Sequence, residues 1–260
     1  MTTPPTGTGD RPYRRFLILS SPRSGTHMLR TSFHGHPEVV AHTELFNPDW
    51  NRNEPFDDTL PAATVLRDHA FRVYPARVAA VGFALHRSGA RFGAWPDLWA
   101  LLEADAALHV ISLRRHDLLR RYLSHCLMRE RNRSGQGAAF VPAPRAYRPH
   151  DLRAEFERAE RELAAFDRRF AGHPLLRVAY EQLRDDYGAT LRRIQVFLGV
   201  RPRPVQPVTT LNASPPLERL IANHDELARA FAPTRWGWFF RHDAGAPASL
   251  SGRATASVAL

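Results

Sequence analysis

The stretch FLILSSPRSGTHMLR, residues 16–30, constrains the fold of this 260-residue chain more than any other. A short apolar run ends at turn residues, and apolar residues then return at helical spacing. This order predicts a buried strand over 14–20, a tight loop, and a helix over 25–34. Such a loop is suited to binding phosphate groups, because a helix N-terminus carries backbone N–H donors and a partial positive charge.

The loop departs from the triphosphate-binding motif G-x-x-x-x-G-K-[ST] at three positions. Counting back from Gly25, Ser20 stands at the first glycine position, Thr26 at the lysine position and His27 at the magnesium-binding position. These departures argue against ATP hydrolysis and kinase chemistry. They predict an anion loop for a group that is handled without a metal, such as a phosphosulfate.

All 36 basic residues are arginine, and the net charge is +10. Arg23 therefore supplies the loop's fixed charge as a planar fork suited to phosphate and sulfate oxygens. Gly25 permits close approach of the backbone, and Ser24 and Thr26 add hydroxyl donors. The arginines are scattered among acidic residues, without a basic tail or a nucleic-acid motif, so we expect no nucleic-acid partner.

Other short apolar runs predict strands over 79–85, 108–113 and 174–180, with a short extended segment within 38–48. Apolar periodicity predicts helices over 61–70, 95–105, 151–170, 186–199 and 215–231. The alternation predicts an α/β fold with a mainly parallel central sheet flanked by helices. Ligands bind outside the carboxyl ends of such strands, so the loops 20–26 and 114–117 should lie on the binding edge.

We expect a flexible N-terminus over 1–12, one domain over 13–241 and a disordered tail over 242–260. No window approaches 18 uninterrupted apolar residues, so no transmembrane segment is predicted. A single cysteine, Cys126, excludes an internal disulfide framework. The first residues lack an apolar signal region, and we expect a cytoplasmic protein. A homodimer is compatible with these features.

A second loop, within LRRHDLLRRYLSH at 113–125, follows a predicted strand. Asp117 is placed to cap the next helix. Arg115 at the strand end and Ser124 two turns into the helix are placed to converge on a second phosphate. Arg120 and Arg121 are interpreted as a solvated face of that helix.

Together, FLILSSPRSGTHML and HVISLRRHDLLRRYLS resemble the two nucleotide-binding motifs of sulfotransferases that use 3′-phosphoadenosine 5′-phosphosulfate (PAPS). The likeness is greatest to bacterial carbohydrate sulfotransferases of the nodulation-factor and trehalose types. It runs in order from about residue 15 to 240 and includes HPEVVAHTELFNP, FAGHPLLRVAYEQL, RRIQVFLGV and PLERLIANHDELARAF. The resemblance implies a P-loop nucleotide-kinase-like α/β fold with sulfuryl transfer in place of phosphoryl transfer.

The resemblance also implies site residues. The first-loop residues that match the family's 5′-phosphosulfate loop are Arg23, Ser24, Gly25 and Thr26, and the adjoining His27 is a further candidate for cofactor binding. Ser124 matches the serine that holds the 3′-phosphate. The family's arginine partner commonly lies eight positions earlier, where this chain has His116, and Arg115 lies nine earlier, so either is a candidate. Relatives often carry a basic residue near the position of Leu211.

Two residues are candidates for the base that deprotonates the acceptor hydroxyl. Trehalose-type relatives place a glutamate base in a segment like AHTELFNP, and the resemblance carries that role to Glu44. His86 is the second candidate, because cytosolic sulfotransferases have a Lys-x-His pattern in a similar place. The lysine position of that pattern is Ala84 here.

We therefore expect a PAPS-dependent sulfotransferase that needs no metal and acts on a hydroxyl of a carbohydrate, a glycolipid or a small natural product. Two alternatives stay open from the sequence. One is a kinase-like nucleotide-binding protein, and the other is a binding module that keeps the adenosine-phosphate pocket without catalysis.

Overall fold

The computed structural model describes residues 13–47, 57, 59–86, 95–135, 140–206 and 215–241. The chain divides into two compact units, residues 1–114 with 167–211 and residues 115–166 with 212–260. The predicted flexible N-terminus and disordered tail lie outside the described residues. The single domain over 13–241 stays a prediction.

The first unit is built on a five-stranded sheet in which every pairing is parallel. The strands are β1 (Arg14–Ser20), β2 (Val39–His42), β3 (Ala80–His86), β4 (His109–Arg114) and β5 (Leu175–Ala179). Their order across the sheet is β2-β3-β1-β4-β5. The predicted α/β fold with a parallel central sheet is confirmed, and β1 lies at its centre.

Helices connect or follow these strands. They are α1 (Thr26–Ser32), α2 (Ala62–Val65), α3 (Leu98–Ala104), α4 (Leu118–Ser134), α5 (Pro149–Arg169), α6 (Tyr180–Asp185), α7 (Tyr187–Phe197) and α8 (His224–Phe231). Residue Asp117 caps α4 as predicted, because its carboxylate accepts from the backbone N of Arg120 at 2.8 Å.

The sheet is buried because helices cover it, which is why its central strands are continuous apolar runs rather than alternating ones. The last five residues of β1 and all seven residues of β3 are buried. Ile18 packs in one cluster with Leu29 of α1 and Ile194 of α7. Each such aliphatic side chain contributes about 1.5–3 kcal/mol to folding by leaving water.

The second unit has its own apolar core, formed by α4, α5, α8 and the aromatic residues that follow α8. Phe156 is fully buried, and its ring centroid lies 5.6 Å from that of Phe231 and 5.7 Å from that of Trp236. The ring of Phe239 meets it edge-on at 5.1 Å. Trp236 is therefore a core residue of this unit.

The helix predicted over 215–231 is wrong in its first half. A short 3₁₀ turn, Leu217–Arg219, is separated from α8 by a bridge to the loop before α5. Leu220 O accepts from Arg145 N at 3.0 Å, and Arg145 O accepts from Ala222 N at 2.9 Å. These pairings take backbone groups that a continuous helix would need, and they depend on a contact that local periodicity does not report.

Close packing of β1 on β3 makes Gly82 a sensitive position. Gly82 is in register with Phe16, and an added Cβ would lie 2.2 Å from the Phe16 carbonyl oxygen. We expect Gly82→Ala to lower the free energy of unfolding by about 1–3 kcal/mol, because buried backbone must shift to make room. Urea denaturation would measure this.

Gly172→Ala is the matched control, because an added Cβ there meets nothing within 4 Å. We expect that variant to change stability by less than about 0.5 kcal/mol. Equal stability of the two variants would contradict the close approach of β1 and β3.

Candidate active site

The loop between β1 and α1 contains two residues in the left-handed region, Arg23 with φ 68° and Gly25 with φ 92°. Such residues in a tight turn are typical of the backbone nests that bind anions. Gly25 is also covered by Tyr180, the first residue of α6. A Cβ at position 25 would lie 2.8 Å from Cδ2 of that ring, so conformation and space both favour glycine.

The hydroxyl groups of this loop have different environments. Thr26 Oγ1 lies 2.7 Å from Ser20 Oγ, so this hydroxyl is hydrogen-bonded across the loop. Ser24 is 1% exposed, and its Oγ has no hydrogen-bond partner among the described residues. A buried hydroxyl without a partner is costly, so the Ser24 hydroxyl is suited to a bound oxyanion.

Strand register brings Glu44 and His86 together. His42 pairs with Phe83, so β3 extends three residues beyond the end of β2, alongside the segment that carries Glu44. His86 Nε2 lies 2.7 Å from Glu44 Oε1, with their side chains 11% and 19% exposed. The two sequence candidates for the base are therefore hydrogen-bonded to each other in a nearly buried position.

The same register explains how His86 reaches the loop. Ser20, the last residue of β1, is directly paired with His86 on β3. Ser20 Oγ lies 2.9 Å from His86 Nδ1. Ser20 thus links the imidazole to Thr26, and the hydrogen-bonded side chains run from the loop to Glu44. The sequence indicated Ser20 only as a departure from the glycine of the triphosphate motif.

Asn47 completes this set of side chains. Its Nδ2 donates to Glu44 Oε2 at 2.8 Å, so each carboxylate oxygen of Glu44 accepts a hydrogen bond. Burial acts to raise the pKa of Glu44, but the interactions with His86, the amide of Asn47 and the charge of Arg30 outweigh it. The net pKa lies below its ordinary value, so Glu44 is a carboxylate at neutral pH.

His27 has an exposed side chain on α1, with Nδ1 3.4 Å from a guanidinium nitrogen of Arg30. Neighbouring atoms still keep part of its ring from water, and this partial burial, followed by the charge of Arg30, lowers the pKa of His27. The imidazole of His27 is therefore neutral at physiological pH, and it accepts rather than donates toward Arg30.

The second predicted phosphate loop begins where β4 ends, in register with the end of β1. Arg114 is held by Asp167, with NH2 to Oδ1 at 2.7 Å, so it stabilises the first unit. Arg115 and Ser124 belong to the second unit, where Arg115 is 8% exposed and Ser124 is partly buried on α4. His116 is partly buried before that helix.

The interpretation of Arg121 as part of a solvated face is wrong. Arg121 is 8% exposed, and its guanidinium donates to Glu155 Oε1 at 2.8 Å. A single sequence shows the charge of Arg121 but not that a carboxylate of α5 lies opposite it. This pair contributes to the fold of the second unit.

Comparison with known proteins decides the family. The family model described as "Sulfotransferase family" matches residues 15–204. The chain belongs to the sulfotransferase family.

Relatives of this sulfotransferase-family protein include Nodulation protein H of Rhizobium tropici, which is 28% identical over 246 residues, 89% of this chain and 95% of the relative. Nodulation protein H of Rhizobium meliloti (strain 1021) is 26% identical over 239 residues, 88% of this chain and 96% of the relative. A crystal structure of a sulfotransferase from Alicyclobacillus acidocaldarius, 19% identical, covers 88% of this chain and 96% of its own, with a TM-score of 0.46.

No group of three or more His, Cys, Asp or Glu side chains in the described ranges is arranged to hold a metal ion. No helix in the described part of the chain is both long and apolar enough to cross a membrane.

The hydrogen bond between Glu44 and His86 leads to a prediction about titration. We expect the pKa of Glu44, followed by NMR of the side-chain carboxyl carbon, to lie below its ordinary value of about 4.3. In His86→Phe the pKa should rise, because burial remains while the compensating hydrogen bond is lost. The stabilisation from ionised Glu44 is present above the unfolded value and is lost as pH falls through the folded pKa.

His109→Phe is the control for loss of a histidine, because His109 bonds to Ala107 O on β4 and not to Glu44. That variant should leave the pKa of Glu44 unchanged. An unchanged pKa in His86→Phe would show that His86 does not stabilise the carboxylate.

Proposed function

We propose that this protein transfers a sulfuryl group from PAPS to a hydroxyl of a carbohydrate, a glycolipid or a small natural product, with Glu44 as the base. The observation that carries this proposal is the hydrogen-bonded series Glu44–His86–Ser20–Thr26, which links a nearly buried carboxylate to an anion-type loop. Membership of the sulfotransferase family supplies the reaction class.

The loop residues fit a phosphosulfate. The buried Ser24 hydroxyl lacks a partner among the described residues, and the space beside Gly25 admits no Cβ. We propose that Arg23, Ser24 and Gly25 hold the 5′-phosphosulfate and that the adjoining Thr26 and His27 complete this loop. When bound, PAPS would supply an activated sulfuryl group, and 3′,5′-adenosine bisphosphate would leave as the bond between sulfur and the 5′-phosphate oxygen breaks.

The other end of the nucleotide is assigned by resemblance. We propose that Ser124 and either Arg115 or His116 bind the 3′-phosphate. An arginine offers a bidentate, permanently charged contact, whereas histidine offers a single donor, which favours Arg115 on chemical grounds. The position of Leu211 lies outside the described residues.

We favour Glu44 over His86 as the base because Glu44 still has lone pairs that can accept a proton. Both imidazole nitrogens of His86 are engaged, Nε2 by Glu44 and Nδ1 by Ser20. Each oxygen of the Glu44 carboxylate has a further lone pair beyond the bond it accepts. Glu44 can therefore take the proton of an acceptor hydroxyl as that oxygen attacks sulfur, while Arg23 opposes negative charge on the transferring group.

The kinase-like alternative is less consistent with the loop. A P-loop kinase uses a lysine and a Ser/Thr magnesium ligand at consecutive positions, where this chain has Thr26 and His27. Thr26 instead hydrogen-bonds to Ser20. The acceptor class rests on the resemblance to carbohydrate sulfotransferases.

Donor identity can be tested directly. We expect 3′,5′-adenosine bisphosphate to bind more tightly than ATP–Mg²⁺ in calorimetry, because the loop lacks the lysine and the magnesium ligand. We also expect labelled sulfate to pass from PAPS to at least one member of a panel of carbohydrate and glycolipid hydroxyls. Tighter binding of ATP–Mg²⁺ would support the kinase-like alternative. Bisphosphate binding without transfer to any acceptor would support the inactive binding module.

Site roles can be separated by paired variants. We expect Glu44→Gln to lower kcat by about 10²–10⁴-fold, because the variant lacks the base. Its affinity for 3′,5′-adenosine bisphosphate should stay within about 2-fold of the native value, because no contact with the nucleotide is lost. Arg23→Ala should weaken bisphosphate binding by at least about 10-fold, because a hydrogen bond to a charged group is lost.

Two substitutions serve as matched controls for this pair. Glu38→Gln alters a carboxylate before β2 that bonds to Arg201 N, and Arg192→Ala removes an exposed guanidinium on α7. Neither should change turnover. Full activity of Glu44→Gln would exclude Glu44 as the base, whatever the outcome for Arg23.

A further inference from the structure

The hydrogen-bonded series between Thr26 and Glu44 has a direction that follows from the chemistry of its members. Ionised Glu44 can only accept, so Nε2 of His86 carries the proton in their 2.7 Å contact. In the neutral form of the imidazole, which has one N–H, Nδ1 is then an acceptor. Ser20 Oγ, 2.9 Å away, must therefore donate to Nδ1.

Ser20 in turn needs a donor for its own lone pair. Thr26 Oγ1 lies 2.7 Å from Ser20 Oγ, and it can supply that proton. The consistent arrangement is Thr26 O–H to Ser20, Ser20 O–H to His86 Nδ1, and His86 Nε2–H to Glu44. Each hydroxyl is then both donor and acceptor, which satisfies a nearly buried polar series.

A backbone carbonyl near His86 could accept a proton from its other ring nitrogen, Nδ1. The backbone O of Ser20 lies 3.3 Å from the same Nδ1. If Nδ1 carried the proton, it would donate to this carbonyl, and the lone pair of Nε2 would face the Glu44 carboxylate. That contact would be repulsive and would let Glu44 move away from His86. Glu44 and Ser20 therefore favour the same tautomer of His86, Glu44 as the acceptor of the Nε2 proton and the Ser20 hydroxyl as the donor to Nδ1.

We infer that Ser20 is a positioning residue for catalysis: its hydroxyl donates to Nδ1 and, together with Glu44, stabilises the Nε2–H tautomer of His86, which holds Glu44 in place for proton abstraction. Asn47 holds the second carboxylate oxygen from the other side at 2.8 Å. His86 is then the connector rather than the base. Because Ser20 ends β1 and contacts Thr26, the base is positioned by the loop that would hold the donor.

This inference rests on the proposed sulfuryl transfer for its catalytic part, but the tautomer is measurable without any substrate. Two-bond ¹H–¹⁵N correlation spectra of ¹⁵N-labelled protein at pH 8 distinguish the tautomers. The signals of His86 among the 13 histidines are identified by their absence in His86→Ala. We expect protonated Nε2 and unprotonated Nδ1 in the native protein, and a shift toward protonated Nδ1 in Ser20→Ala.

Kinetics test the catalytic part. We expect Ser20→Ala to lower kcat about 10-fold, the loss that follows from one net hydrogen bond. The affinity for 3′,5′-adenosine bisphosphate should stay within about 2-fold. In a His86→Ala background, Ser20→Ala should lower kcat by less than about 2-fold, because Ser20 acts through His86.

Thr190→Ala is the matched control, since it also removes a buried hydroxyl, here one that bonds to Gln182 O on the first unit. It should change neither the His86 tautomer nor kcat. If Ser20→Ala lowers kcat equally in both backgrounds, or leaves the tautomer unchanged, the inference is overturned. A doubly protonated His86 at pH 8 in the native protein would overturn it as well.

These outcomes are separable from failure of the proposed function. If the native protein transfers no sulfate from PAPS but shows the expected tautomer and its change in Ser20→Ala, the hydrogen-bonded arrangement stands and the sulfuryl-transfer proposal fails. If transfer occurs and the tautomer does not respond, only the role of Ser20 fails.

Discussion

The parallel pairing of β1 with β3 is the constraint on which the candidate site depends. It places Ser20 directly beside His86, and the extension of β3 beyond β2 places His86 beside the segment that carries Glu44. A shift of one residue in this register would turn His86 to the other face of the sheet. The close approach at Gly82, under the Phe16 carbonyl, shows how tightly the two strands are packed.

Arginine alone has to supply structural and functional cations in this chain. Arg15 pairs with Asp105, Arg114 with Asp167, and Arg121 with Glu155, each at 2.7–2.8 Å. The three arginine side chains are at most 20% exposed. Breaking such a pair leaves a poorly solvated charge, so these residues stabilise the fold. The absence of lysine therefore does not show which arginine belongs to the site. Only the residues around a guanidinium distinguish a structural arginine from one that can bind an anion.

Much of the fold was predictable from the sequence, because buried parallel strands are short, continuous apolar runs. The strand over 14–20, the loop and the short helix after it follow from that pattern. What could not be predicted depends on contacts distant in sequence. The backbone bridge between Arg145 and Ile221 interrupts the helix that the apolar pattern predicts. Ser20 lies 66 positions from its hydrogen-bond partner His86. To predict such pairings, one needs the register between the strands as well as their positions in the sequence.

The sequence offered Glu44 and His86 as alternatives for one role, and we propose different roles for them because they are hydrogen-bonded to each other. Burial alone would raise the pKa of a carboxylate. Hydrogen-bond donors stabilise the ionised form and lower the pKa, and His86 and Asn47 are such donors for Glu44. The same bonds that keep Glu44 ionised also reduce its affinity for a proton. In the sulfuryl transfer that we propose, such a carboxylate would take the proton of the acceptor hydroxyl while the hydroxyl oxygen bonds to sulfur, because the hydroxyl becomes more acidic during attack. If Glu44 is the base that we propose, its hydrogen bonds favour concerted proton transfer over prior formation of an alkoxide.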